Sequence, residues 1–356
     1  MKYMLFATLI TIAFSMVARS EENPLLKPFK TPFGVPPFEK IKNEHFKPAI
    51  EEGMKLHNEE IDAIANNKAK PNFKNTIEAL DRAGALLNDV TTVFFNLNQA
   101  NTNDEMQKIA EDISPALSAH GDNILLNEQL FQRIKTVYDN RSQEKLSTEQ
   151  KALLEETYRS FAKNGAALKD ADKEKLKKIN EKISILGLKF GQNVLAETNS
   201  FKLVIDNKQD LAGLPQSIID GAAKDGKWVF SLQNPSLLPF LQYSSNRALR
   251  EKIWRVWMNR CNNNNDKDNK EIIRELVNLR LERSKLLGFD TYSDYVLSEN
   301  MAKTPANVHK LLMELWTPAI KVAQKEASDM QEIIKREGGK FKLEPWDWRY
   351  YSEKVR

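Results

Sequence analysis

Cysteine is almost missing from this chain. Cys261 is the only one in 356 residues, so no internal disulfide can staple the fold and packing alone must hold it. A large charge of one sign is missing too: 53 Lys and Arg stand against 49 Asp and Glu, a formal net charge of +4. That balance points to neither nucleic acid nor an anionic membrane as partner. Histidine is scarce, with only His45, His57, His120 and His309. None lies in His-Glu-x-x-His, the spacing that sets two imidazoles on one helix face for zinc. The chain has no glycine-rich phosphate loop, no Ser or Cys in a nucleophile context and no repeat of fixed period. No catalytic, cofactor-binding or metal-ligating residue is therefore assigned.

Long apolar runs are missing everywhere but at the start. Tyr3 to Val17 is almost unbroken, preceded by Lys2 and followed by the small residues Ala18 and Ser20. This is the pattern of a secretory signal peptide over residues 1–20, cleaved after Ser20, and the run is short for a spanning helix. The expectation is export, to the periplasm in a bacterium, with no membrane attachment after cleavage. Without residues 1–20 the chain keeps 336 residues and a formal charge of +2, because Lys2 and Arg19 go with the signal. That length allows about two domains. A N-terminal helical region at 21–145 and a second at 146–356 are expected.

What remains reads as helix. Residues 21–43 carry five prolines, Pro24, Pro28, Pro32, Pro36 and Pro37, and predict an extended arm. Asn75 and Glu78 suggest a capping box for a long helix with Ile77, Leu80, Ala83 or Gly84, Leu87, Val90, Phe94 and Leu97 on one face. Ser147 and Gln150 repeat the device ahead of Leu154 and Phe161. Leu176, Ile179, Ile183, Leu186, Phe190 and Val194 form the clearest amphipathic stripe. A further helix follows Asp268 and Asn269 and stops at Gly288. The last long one opens at Thr304-Pro305, should kink at Pro318, and breaks at Gly338-Gly339. Only Phe201–Ile205 and Trp228–Leu232 look like strands. The fold class is thus mainly α with one small strand pair. The Asn262–Asn269 run fails as a calcium loop, since a loop opened at Asp266 would put Glu271 at the glycine position and Val277 at the twelfth.

Several stretches taken together resemble one family. "PPFEKIKNEHFKPAIEEG" (36–53), "FKNTIEAL" (73–80), "LSTEQKALLEETYRSFAKNGAAL" (146–168), "INEKISILGLKFGQNVLAETN" (179–199), "SNRALREKIW" (245–254), "ENMAKTPANV" (299–308) and "EPWDWRYYSEKVR" (344–356) are similar to successive landmarks of the thimet-oligopeptidase family of zinc metallopeptidases. The bacterial peptidyl-dipeptidase and oligopeptidase A type is the nearest branch. The resemblance implies a mainly helical, two-lobed channel fold, short peptides as substrate, and zinc held by a His-Glu-x-x-His helix. That helix lies beyond the aromatic segment in the family and has no counterpart here. The chain is expected to be the N-terminal half, inactive alone, with a C-terminal catalytic half as partner. The other reading is an exported, non-catalytic helical module that holds peptides. On the first, Trp346, Trp348, Tyr350 and Tyr351 should be poorly buried.

Overall fold

Helix starts and stops in this chain are set by short polar signals, and the architecture follows from them. The structure is a computed structural model, and it describes residues 23–355. The expected signal peptide, residues 1–20, lies outside the described residues. The helices are α1 (Phe46–Ala65), α2 (Ala79–Arg82), α3 (Ala85–Ala100), α4 (Asp104–Leu125), α5 (Glu128–Asp139), α6 (Thr148–Lys163) and α7 (Asp170–Ser200). After β1 (Leu203–Ile205) come α8 (Gln216–Ala222), β2 (Ala223–Lys224), β3 (Lys227–Phe230) and α9 (Asn234–Tyr243). The remainder is α10 (Arg247–Met258), α11 (Lys270–Leu286), α12 (Tyr292–Leu297), α13 (Pro305–Arg336) and α14 (Trp348–Val355). None of these helices is long and apolar enough to cross a membrane. The chain is mainly α, as the periodicity predicts.

The sheet has one more strand than expected. β1 and β3 pair antiparallel, with Leu203 opposite Phe230 and Ile205 opposite Trp228. β2 adds to the other edge of β3, giving the order β1-β3-β2. The extra strand is only two residues long, too short for a periodic signal. Asp225 and Gly226, between β2 and β3, both take positive φ, as a tight two-residue hairpin turn demands.

The backbone divides into two compact units, residues 23–63 with 82–109, and residues 64–81 with 110–355. In the first, Phe46 and Phe94 meet edge to face at 5.2 Å over buried Ala49, Ile50 and Val90. The proline-rich arm enters it through Leu25, which is buried, while Asn23 Nδ2 donates to the His45 carbonyl at 2.8 Å. The expected long helix through residues 75–97 is broken in the structure. Asn72 is the cap, reciprocated by Asn75, one turn earlier than predicted. Gly84 then ends the first piece with φ +77, and a Cβ there would sit 2.7 Å from the His57 ring. Its N–H donates to Glu60 at 2.7 Å. An interruption every L-residue would resist is affordable to glycine alone.

In the second unit the Ser147–Gln150 capping box is present, and Leu154 and Phe161 are buried. Leu203, Ile205, Phe230, Leu237, Phe240 and Ile253 build its sheet-and-helix core. α7 packs along α11, but its stripe is buried only in part. Leu176 and Ile179 are core, whereas Phe190 is exposed.

Candidate functional site

The last elements, α10, α13, residues 341–347 and α14, build the most distinctive surface of the molecule. Thr304 caps α13 by accepting from the Asn307 N–H at 3.2 Å, and Pro305 occupies the first turn, where its missing N–H leaves no gap. The expected kink at Pro318 does not end the helix, which runs unbroken from Pro305 to Arg336. Its stop is the predicted glycine pair. Gly338 adopts φ +80, and the Gly339 N–H closes on the Ile334 carbonyl at 2.8 Å, the αL stop of a Schellman-type end.

From there the chain doubles back. Gln331 holds residues 341–343 as a strand would, donating to the Phe341 carbonyl at 3.0 Å and accepting from the Leu343 N–H at 2.8 Å. Met330, Ile334 and Tyr351 are then buried together. Burial and the nearby Glu337 charge push the Tyr351 phenol above its ordinary pKa.

An ionic latch secures this element to α10. The Asp347 carboxylate is fully buried. Its Oδ1 accepts from Arg250 Nη2 at 2.8 Å, and its Oδ2 accepts from Arg247 Nη2 at 2.8 Å. Arg250, itself 1% exposed, also donates to the Ser244 carbonyl at 2.8 Å and lies 4.1 Å over the Tyr350 ring. Arg247 covers Phe341 at 4.2 Å, Arg255 covers Trp346 at 4.6 Å, and Trp254 meets Trp346 at 5.7 Å. Guanidinium faces stack on aromatic rings, with Arg250 buried and Arg247 and Arg255 still partly exposed. The expectation that all four aromatics would be poorly buried is therefore wrong in part. Trp346 and Tyr351 are buried, while Trp348 remains exposed, because Asp347 supplies an internal anchor that composition does not reveal.

The uncovered apolar surface lies instead on the first half of α13. Leu311, Leu312, Met313, Leu315, Trp316 and Val322 are 54–59% exposed. At about 100° per residue all but Met313 fall within an arc of about 140°. Along the second half of α13, Trp348 lines two concavities. One of about 600 Å³ runs along Ala327, Gln331 and Leu343 to Pro345, and one of about 400 Å³ lies against Met330, Ser352 and Val355.

The histidines do not assemble. His45 Nδ1 accepts the Lys42 N–H at 3.1 Å, burial lowers the pKa of His57, His120 is buried and His309 exposed. Among the described residues no group of three or more His, Cys, Asp or Glu is placed to hold a metal ion. The asparagine run shows why it needs none. Lys270 Nζ occupies its centre, donating to Asn262 Oδ1, Asn264 Oδ1 and Asp268 Oδ2 at 3.0, 2.8 and 2.7 Å. The Lys270 hydrogen bond holds the Asp268 carboxyl down at about 2. Asp268 also accepts the Lys270 N–H, so of the expected pair Asp268 caps α11 with its side chain, while that of Asn269 is buried against Asn193. Cys261, beside this loop, is buried with its thiol pushed up by burial.

With the latch and the α13 face in place, the matches to known proteins fall on the same elements. Residues 240–356, which hold both, match the profile of peptidase family M3. Over those residues the chain is similar to peptidase family M3. The chain is 37% identical over 341 residues to the dipeptidyl carboxypeptidase of Escherichia coli (strain K12), covering 94% of this chain and 50% of that protein. It is 31% identical to oligopeptidase A of Haemophilus influenzae, again over 94% of this chain and 50% of the relative. Oligopeptidase A of Escherichia coli is 29% identical, with 93% and 50% covered. The chain spans about half the length of the curated relatives it matches. Arg247 and Arg250 lie inside a stretch that carried the resemblance, yet their role went unread. Two arginines three apart on a helix are an ordinary solvent-facing pattern, and the carboxylate that buries them is about a hundred residues away.

Proposed function

We propose that this chain is the scaffold-bearing portion of an exported zinc peptidase that hydrolyses short peptides, working with a segment equivalent to the half its relatives have in addition. The single observation that carries the reading is the exposed apolar face of α13. Full burial of one such Leu or Trp side chain contributes about 1.5–3 kcal/mol, and contiguous apolar surface of this kind marks an interaction site. Relatives twice the matched length supply a natural cover for it. The residues present do not fit a zinc centre, since no donor cluster forms among those described. In the complete enzyme a zinc ion would supply Lewis-acid and water-activating chemistry, and residues other than those described would hold it. What this chain's residues do is hold shape: the Asp347 latch fixes α14 on α10 and so sets the floor on which the partner segment docks. Export rests on residues 1–20, and N-terminal sequencing of the secreted product should begin after Ser20.

The test mixes the purified chain with the unmatched half of the Escherichia coli dipeptidyl carboxypeptidase. Chelator-sensitive release of dipeptides is expected from the mixture and from neither polypeptide alone. Hydrolysis by this chain alone, abolished by chelator, would overturn the assignment. Tight binding of short peptides to the chain alone, without hydrolysis, would favour a peptide-holding module seated on the concavity beside Trp348.

A further inference from the structure

We infer that Tyr295 is a positioning residue, a clasp that holds α12 against α6 and α11 and so fixes where the exposed half of α13 points. The inference concerns the free chain and goes beyond the reading above, whatever covers that face. All four helices belong to the second compact unit. α13 is 32 residues long, yet none of its residues before Met330 is buried. Helices in proteins draw most of their stability from packing one face. The far end of α13 is packed, with Met330 and Ile334 buried against Tyr351. The near end must be held by what precedes it. A short closed turn joins it to α12. The Lys303 N–H donates to the Asn300 carbonyl at 3.0 Å and the Thr304 N–H to the Ala302 carbonyl at 2.7 Å. Asn307 Nδ2, from the first turn of α13, reaches back to the Ala302 carbonyl at 2.8 Å. Lys303 takes φ 63, a conformation a long side chain rarely adopts. So tight a turn passes the direction of α12 on to α13.

α12 has no buried residue of its own. Its fastening is polar and aromatic, and it converges on Tyr295. The phenol donates to Asn164 Oδ1 at 2.8 Å and accepts from Arg283 Nη2 at 3.1 Å. Asn164 is the C-cap of α6, and Arg283 lies in the last turn of α11. One hydroxyl therefore ties three helices together. Burial raises the Tyr295 phenol above its ordinary pKa, which keeps the donated proton on its oxygen. The ring meets Phe289 edge to face at 5.4 Å, and Lys163 Nζ lies 4.6 Å over it. Arg159 and Lys163 of α6 also reach Glu299, just past α12, at 3.5 and 3.7 Å. Those pairs are partly exposed and contribute less. Such a fastening opens far more readily than an apolar core. On its other side Gly288, with φ +85, supplies a pivot between α11 and α12.

Hydrogen–deuterium exchange of the full chain, read by mass spectrometry, tests the clasp. Tyr295→Phe keeps the ring and removes only the hydroxyl. Exchange over residues 292–322 should quicken about tenfold. β3 and α9, in the core of the same unit, should keep wild-type rates, and the melting temperature should move by a few degrees at most. Glu299→Gln leaves the hydroxyl in place and should give a smaller increase over the same residues. Unchanged exchange over residues 305–322 in Tyr295→Phe would overturn the proposal. An increase there that β3 and α9 share would overturn it too, because that is a loss of general stability and not a release of α13. If Tyr295→Phe does not fold, Glu299→Gln decides alone: an increase confined to residues 292–322 supports the clasp, and no increase refutes it.

Discussion

Asp347 lies between two guanidinium groups, and the energetics of removing it are lopsided. A buried ion pair often contributes little compared with apolar residues of the same volume, but breaking it strands a charge. Asp347→Ala would leave Arg250, 1% exposed, with no counter-ion in the interior. The expected loss is about 3–5 kcal/mol, read as a shift in the urea midpoint, while an Arg250→Met/Asp347→Leu double change should recover much of it. A second residue-scale outcome concerns acid. Asp268 is held at about 2 by the Lys270 hydrogen bond, below the ordinary carboxylate value. A depressed folded pKa contributes stability that is complete above the unfolded value and is lost as pH falls through the folded one. Protection of the Asn262–Asp268 loop amides, taken relative to the intrinsic exchange rate at each pH, should therefore fall between about pH 4 and pH 2. In Lys270→Met that protection should be low already at neutral pH, with little further change on acidification.

Among the elements, α13 joins two unlike halves. Met330 and Ile334 are core, while the segment from Leu311 to Val322 turns its apolar residues to solvent. Changing Leu315 and Trp316 to Ser should leave the melting temperature of the free chain within a few degrees of wild type. It should also suppress the concentration-dependent self-association that such a patch favours, visible by light scattering. A large loss of melting temperature would mean that these side chains are already packed. The helices themselves were well read from sequence. Ser147 with Gln150, Thr304 with Pro305, and the Gly338-Gly339 stop are signals contained within four or five residues. Where reading failed, the cause lay outside the element. The spacing from Ile77 to Leu97 is helical on both sides of Gly84, and only the His57 ring against that glycine shows that the backbone must break there. Two-residue β2 is too short to carry any period.

For the molecule as a whole, the match covers 94% of this chain and 50% of the relative, so the chain spans about half of that protein's length. The lack of disulfides, the mainly helical class, the helix caps and the family resemblance were all legible in the sequence, because each depends on composition or on neighbours a few positions apart. Tertiary structure alone decided which apolar residues are covered. It buried Trp346 and Tyr351, where exposure was expected, and left Leu311, Leu315 and Trp316 in solvent. The physical reason is that burial belongs to pairs of surfaces. Whether an aromatic is core or interface depends on an Asp and two Arg about a hundred residues apart, and no local pattern records that they meet.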